Sequence, residues 1–257
     1  MANYDLIGNI AIVKFKRGVK MNEKKKYASH ILNSHKSVKT VLEKTNKFSG
    51  RLRTQKTKYV AGYKTREAVY RENGCIFRLN VDSCYFSPRL AGERREIASK
   101  VKRNENVLVL FSGVAPFSIV IAKLSKAIKV TGVEISRECN KYARENVKLN
   151  KLWDKVEVVQ GDVRKKLKLM KEKFDRIVMP RPNLKDSFLN VVFPRITRGG
   201  IIHYYGFYDS DKENELKNLI FEEAKKARRK IKILKIKRAG EIGVKKFRYR
   251  VDIRVVN

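Results

Sequence analysis

Within residues 107–136 the pattern of apolar and polar positions changes period twice. Residues 107–110 (Val-Leu-Val-Leu) are apolar throughout, as a parallel strand covered on both faces must be. A turn of small residues follows, with Ser112, Gly113 and Ala115, then a helical stretch. A second strand ends at Glu134, about 20 residues beyond the turn. This order predicts Gly113 and Glu134 at the carboxyl ends of two neighbouring parallel strands. Gly113 lets a ligand approach the backbone, and a carboxylate at Glu134 accepts hydrogen bonds from both hydroxyls of a ribose. The full Gly-x-Gly-x-x-Gly phosphate cradle is missing, which argues against a dinucleotide. S-adenosylmethionine, with an adenosine and no phosphate, fits. The alternative is an ordinary βαβ unit with an acidic strand end.

The same periodicities divide the rest of the chain. Residues 5–15 read as a strand with a glycine bend, 19–34 as an amphipathic helix with a lysine face, and 38–43 as an alternating strand. From Lys44 to Lys58 apolar residues are few and cations many: Lys44, Lys47, Arg51, Arg53, Lys56 and Lys58. Such a run is a mobile surface loop or a nucleic-acid contact loop that orders on binding. Short strands at 59–63 and 68–70 follow, so residues 1–66 read as a small basic α/β module. Asn73-Gly74 predicts a hairpin within 69–86. Pro88 holds Ser87 out of helical geometry, and a helix is expected from about 90 to 101 with Glu93 in its first turn. Beyond Glu134 the pattern predicts a helix at 137–150, a strand ending at Gly161-Asp162, a strand at 174–179 and a helix at 186–196. A strand at 201–207, a charged helix at 211–229 and an antiparallel pair at 231–239 and 247–256 close the chain. Five parallel strands with intervening helices and a terminal hairpin make an open doubly wound α/β sheet over residues 67–257.

Charge adds a partner to this picture. The 257 residues hold 61 Lys and Arg against 26 Asp and Glu, a formal net charge of +35. That exceeds any solubility device and predicts a polyanionic partner, nucleic acid above all. A lysine bias tied to high growth temperature would raise Glu as well, and Glu is not raised. The cations are dispersed, which fits a folded basic surface rather than a disordered arm. Cys75, Cys84 and Cys139 are too few and too irregularly spaced for a disulfide framework, and no Cys-x-x-Cys or His-x-x-x-His pair suggests zinc. No apolar run approaches about 18 residues and no signal-peptide pattern opens the chain, so a cytoplasmic setting without membrane or metal is expected.

Five segments in order resemble the archaeal and eukaryotic tRNA (guanine-37-N1)-methyltransferase family and its relatives in wybutosine synthesis. They are Asp-Leu-Ile-Gly-Asn-Ile-Ala-Ile-Val at 5–13, Arg-Glu-Asn-Gly-Cys at 71–75, Tyr-Phe-Ser-Pro-Arg-Leu-Ala-Gly-Glu-Arg at 85–94, Phe-Ser-Gly-Val-Ala-Pro-Phe-Ser-Ile at 111–119 and Gly-Asp-Val at 161–163. The resemblance implies a class I methyltransferase: a Rossmann-like doubly wound sheet with a small N-terminal α/β RNA-binding module. It implies S-adenosylmethionine as cofactor, and a monomer acting on guanosine 37 of the tRNA anticodon stem-loop. It makes Glu93 the base that removes the guanine N1 proton and Arg53 the cation that stabilises charge on O6, with Arg51 a near competitor. Tyr85 falls beside the methionine moiety and target base, Glu134 at the ribose and Asp162 at the adenine. Arg94, Phe111, Gly113, Pro116, Phe117, Ile135, Val163, Pro180 and Pro182 complete the expected cofactor lining.

The sequence departs from that family at four places. Val109 or Leu110 stands where an Asp is common, and Ala115 replaces the second turn glycine. Pro180-Arg181-Pro182 replaces Asn-Leu-Pro, and the small domain that many members carry before the first strand is not seen. Pro180 lacks the amide with which Asn could bond a guanine. The alternatives therefore stay open: 3-amino-3-carboxypropyl or carbon-methyl transfer to a tricyclic wybutosine precursor, or a tRNA-binding protein with a degenerate cofactor pocket. Each site residue also has a plainer role. Glu93 would be a helix-dipole contact, Tyr85 and Phe86 core aromatics, and His203 a packed or hydrogen-bonded histidine. The methyl-transfer reading rests on chemistry as well. Guanine N1 is protonated at neutral pH, so its methylation needs a base near N1–H and positive charge near O6.

Overall fold

A computed structural model describes residues 3–46, 48–184 and 186–257; Lys47 of the basic loop lies outside them. The first sheet has the order β1-β2-β3-β4, with β1 at Asn3–Ile7, β2 at Ile10–Lys14, β3 at Thr40–Lys44 and β4 at Thr57–Gly62. The bent strand expected at 5–15 is in fact two antiparallel strands. Gly8 turns between them at φ +57°, and a β-carbon there would meet the Val69 carbonyl oxygen at 1.8 Å, so only glycine fits. Helix α1 (Met21–Ser34) connects β2 to its parallel neighbour β3 and buries Ala28 and Ile31 against Val13, Val41 and Val60.

The main sheet has the order β12-β13-β11-β10-β7-β8-β9. Its parallel strands are β7 (Asn106–Leu110), β8 (Lys129–Glu134), β9 (Val156–Gln160), β10 (Phe174–Met179) and β11 (Ile196–Asp209). Strands β12 (Ile231–Gly243) and β13 (Lys246–Val255) close one edge antiparallel. The all-apolar run in β7 follows from its place: Val107 and Val109 enter the core on one face, Leu108 and Leu110 the core on the other. Strand order reverses at β7, which lies between β8 and β10, and ligands of such sheets bind outside the carboxyl ends at the reversal.

Helices α2 (Ala91–Lys100), α3 (Pro116–Leu124), α4 (Arg137–Leu149) and α7 (Glu213–Lys226) lie where the pattern predicts them. Two differences matter. Helix α5 (Val163–Leu169) was not expected; Asp162 starts it as a cap, accepting from the Lys165 amide at 3.2 Å. The helix expected at 186–196 shrinks to α6 (Leu189–Val192) and a tight 3₁₀ turn, Phe193–Arg195, because Pro194 has no amide hydrogen for a longer helix.

A hairpin, β5 (Glu67–Glu72) and β6 (Cys75–Asn80), sits between the two sheets. It turns at Asn73 and Gly74 with φ of +50° and +71°, as the dipeptide predicts. Two asparagines one helical turn apart, Asn146 on α4 and Asn150 capping its carboxyl end, cover the free edge of β6. Asn146 accepts from the Arg78 amide at 2.7 Å and donates to the Arg78 carbonyl at 3.0 Å; Asn150 accepts from the Ile76 amide at 2.9 Å and donates to the Ile76 carbonyl at 2.7 Å. Side-chain amides thus replace a missing strand. Asn146→Ala leaves the buried Arg78 and Val114 carbonyls short of donors and costs about 2–3 kcal/mol, measured as a lower urea midpoint at unchanged m-value. Ile7, Ile10, Ile12 and Leu42 of the first sheet share a core with Phe77 and Phe86, so the small module packs continuously onto the large one. Among the described residues no helix is long and apolar enough to cross a membrane, and no group of His, Cys, Asp or Glu has the arrangement of a metal site.

Candidate functional site

A cavity of about 520 Å³ opens at the carboxyl ends of β7, β8 and β10, a volume suited to a nucleoside-sized ligand. Of the expected cofactor residues, Tyr85, Phe111, Gly113, Glu134, Ile135, Pro180 and Pro182 line it. Its floor is the turn after β7, where Phe111, Gly113 and Ala115 alternate in the left-handed region at φ +55°, +56° and +67°. A β-carbon on Gly113 would meet nothing closer than 3.8 Å, so glycine is there for its backbone angle and the open space above it. The Glu134 carboxylate is built into this floor. One oxygen accepts from the Gly113 amide at 2.8 Å, the other from the Ser136 amide at 2.8 Å. Burial pushes its pKa up, against the opposing pull of those amides. A fixed carboxylate with lone pairs left over, between apolar walls, is an acceptor to which the two hydroxyls of a ribose can donate.

The basic loop forms the opposite wall, contributing Arg51, Leu52 and Arg53. The Arg53 guanidinium lies 5.2 Å from the Tyr85 ring centre and 6.0 Å from that of Phe48, and the two rings meet edge-on at 4.9 Å. Arg51 instead pairs with Asp162. Asp162, expected at an adenine, therefore serves as the α5 cap and the Arg51 partner and does not line the cavity. Pro116 begins α3, and Val163 packs with Leu167 in the core below. Arg94 is fully buried and paired with Glu72; it donates to the Ser87 carbonyl at 3.0 Å and stacks on Phe86 and Phe117. These four, with Phe117, hold the walls and do not face the cavity.

Glu93 stands behind the wall. Its Oε1 accepts from the Tyr205 hydroxyl at 2.8 Å and from Arg250 Nη1 at 2.5 Å, and its Oε2 lies 3.3 Å from Lys237 Nζ. Tyr205, not Glu93, lines the cavity, so the tyrosine joins the carboxylate to it. Arg250, on β13, has no exposed surface and also holds Glu96 at 2.6 Å; its Nε forms an ion pair with Asp252 at 2.9 Å without hydrogen-bond alignment. The Arg250 hydrogen bond, with help from Lys237 and against partial burial, pushes Glu96 down to about 2. Its folded value lies below the ordinary 4.5, so the unfolded chain binds more protons between those values. Stability present above about pH 4.5 is therefore lost as pH falls towards 2, and Glu96→Gln flattens that fall in a series of thermal melts.

Residues outside the expected cofactor set also line the cavity: Arg181, Tyr205, Phe207, Ile242 and Arg248. The last two come from the terminal hairpin, whose place over the cavity no local pattern announces; Arg248 lies 5.3 Å from the Phe207 ring. Arg181 is buried, and its Nη1 donates to the carbonyls of Leu184 and Asp186 at 2.8 and 3.1 Å, so it organises the loop after β10. His203 is the packed histidine expected. Arg176 can only donate to its Nε2, at 2.7 Å, so Nδ1 carries the proton and donates to Asp252 at 2.7 Å; burial pushes its pKa down.

Comparison with known proteins agrees with this geometry. Residues 68–235 match the family model described as the TRM5/TYW2 methyltransferase domain. The tRNA (guanine(37)-N(1))-methyltransferase Trm5b of Pyrococcus abyssi is 40% identical over 80% of this chain, which spans only 60% of that relative's length. Its crystal structure superposes with a TM-score of 0.88 at 36% identity, covering 99% of this chain and 75% of the other. The tRNA (guanine(37)-N(1))/4-demethylwyosine(37)-methyltransferase Taw22 of Nanoarchaeum equitans is 32% identical over 99% of this chain and 100% of its own length. The structure of Methanocaldococcus jannaschii Trm5 in complex with adenosine has a TM-score of 0.83 at 25% identity, covering 99% of this chain and 72% of that one. A doubly wound sheet with an amide-anchored carboxylate at its reversal, a matching family model over most of the chain and a relative aligned end to end place this chain in the TRM5/TYW2 methyltransferase family.

Proposed function

We propose that this chain is an S-adenosylmethionine-dependent methyltransferase acting on N1 of guanosine 37 in the tRNA anticodon loop. The observation that carries this reading is one cavity in which the amide-anchored Glu134 faces Arg53 stacked on Tyr85, with Glu93 joined to it through Tyr205. Glu134 would hold the ribose, with Phe111, Ile135, Pro180 and Pro182 along the adenosine. The bound cofactor supplies a methyl group on a sulfonium, an activated leaving group that needs no metal. The protein's tasks are then positioning and proton removal. Arg53 sets positive charge where guanine O6 gains density. The proton leaving N1 has a route to the Glu93 carboxylate along the Tyr205 hydrogen bond. A base in an anticodon loop is unstacked at low cost, so no duplex need be opened. The enzyme works in the cytoplasm as a monomer.

The basic loop grips RNA as well as closing the pocket. Replacing Arg51, Arg53 and Lys56 together by Ala weakens tRNA binding and lowers the slope of log K against log salt by about 2–3, one contact per lost phosphate partner. Filter binding at several salt concentrations reads this; an unchanged slope removes the loop from the RNA interface.

A second reading has support of its own. Taw22 aligns with this chain from end to end, and its name carries two substrates. Pro180 also frees the wall where a base-bonding amide was expected. The deciding experiment incubates labelled S-adenosylmethionine with three tRNAs bearing guanosine, adenosine or 4-demethylwyosine at position 37, followed by nucleoside digestion. The proposal requires 1-methylguanosine from the first alone or together with methylation of the third. Label on the third only replaces guanine N1 methylation with carbon methylation.

A further inference from the structure

Two thiols that the sequence keeps 55 positions apart meet at the edge of the cavity. Cys139 Sγ lies 2.7 Å from Cys84 Sγ, well inside the contact distance of two unbonded sulfurs, and both side chains are buried. Cys139 lines the cavity and occupies the first turn of α4, three residues after the Ser136 cap whose hydroxyl accepts from its amide. Cys84 directly precedes Tyr85, another lining residue, in the segment whose Ser83 carbonyl also receives the Cys139 thiol at 3.6 Å. The third cysteine, Cys75, is buried on β6 and contacts the Asn73 carbonyl, so it stands apart from the pair.

We infer that Cys139 and Cys84 are an oxidisable pair, a modification site in which a peroxide converts the two thiols into a disulfide joining the two walls of the cavity. The roles of the sulfurs differ. Cys139 lines the cavity and Cys84 does not, so Cys139 is the sulfur that a peroxide entering the cavity reaches first. The hydrogen bond to Cys139 and burial push the Cys84 pKa up, so Cys84 stays a thiol. Cys139 therefore attacks the peroxide. Its sulfur takes one oxygen as the O–O bond breaks, giving a sulfenic acid, and the other peroxide oxygen leaves as an alcohol or water. Cys84 then attacks that sulfur, the S–O bond breaks, and the Cys84 proton leaves with the hydroxyl as a second water. Two thiols are oxidised by two electrons in all and one peroxide is reduced. The sulfurs need to close by less than about 1 Å to reach bonding distance, so the wall-bearing segments barely move.

The pair is independent of what the cavity binds. Its protection by a ligand rests on the cofactor reading above, and the test separates the two. The reduced full-length chain is treated with one equivalent of hydrogen peroxide, blocked with N-ethylmaleimide and analysed by intact mass and peptide mapping. The expected result is loss of two of the three alkylatable thiols, a Cys84–Cys139 linked peptide, and Cys75 still alkylated. Cys84→Ser should leave a sulfenic acid on Cys139 that dimedone traps. The linked form should melt about 5 °C or more above the reduced form. Full alkylation of Cys84 and Cys139 after peroxide, or a lower melting temperature in the linked form, overturns the proposal. With saturating S-adenosylhomocysteine, oxidation should slow at least about tenfold. A disulfide that forms at the same rate with and without that ligand upholds the pair and overturns the cofactor reading of the cavity.

Discussion

Glu93→Gln lowers turnover on guanosine-37 tRNA by about 10²–10⁴-fold, the usual worth of a positioned base, and leaves S-adenosylmethionine affinity within about twofold. The amide is isosteric and still accepts from Tyr205, but it has no basicity for the N1 proton. Glu93 does not line the cavity, so nothing bound there loses a contact. Arg250 keeps Glu96 and Asp252 as partners, so the stability cost should stay below the roughly 3–5 kcal/mol of a buried charge left with no partner. Single-turnover rates, calorimetric cofactor affinity and a thermal melt on the same preparation separate these effects. Unchanged turnover with a lowered melting temperature would reassign Glu93 to the Arg250 cluster as a purely structural member.

The second large effect belongs to Glu134. Glu134→Gln raises the S-adenosylmethionine dissociation constant by about 10–100-fold, the worth of one or two hydrogen bonds to a charged acceptor. It leaves tRNA binding almost untouched. Both carboxylate oxygens already accept an amide, from Gly113 and from Ser136. An amide side chain can accept only one of them, and its NH₂ group faces either a backbone donor or the ribose. The turn after β7, with three residues in the left-handed region, then loses an anchor. Isothermal titration with cofactor and filter binding with tRNA read the two halves of the prediction. An unchanged cofactor affinity would mean that Glu134 serves only as the anchor of the Gly113 turn.

These two carboxylates are proposed for different reasons. Glu134 follows from local order, since a strand, a turn and a strand fix where its end must lie. Glu93 came from a resemblance, since a glutamate in the first turn of a helix has too many ordinary uses to announce itself. The sheet was read nearly whole, because parallel strands buried on both faces leave continuous apolar runs that little else imitates. Local order is silent about partners that are distant in sequence. Asp162 looked like a second nucleoside acceptor, and its carboxylate is instead occupied by Arg51, 111 positions away, and by the start of α5. Arg94 looked like cofactor lining and is spent on Glu72. The helix expected at 186–196 ignored a proline within its own span.

The amino-acid sequence by itself determined the doubly wound sheet, the place of Gly113 and Glu134 in it, the hairpin at Asn73-Gly74 and the strong net positive charge. Each of these depends on periodicity, turn chemistry or total charge, quantities that a local stretch or a simple sum contains. The tertiary structure alone decided which groups share the cavity. It brought the basic loop over Tyr85, laid the terminal hairpin with Ile242 and Arg248 along the opposite rim, set Tyr205 between Glu93 and the cavity, and paired Cys84 with Cys139. Those juxtapositions come from packing two sheets and a hairpin onto a common core, and packing is a property of the whole chain that no segment of it records.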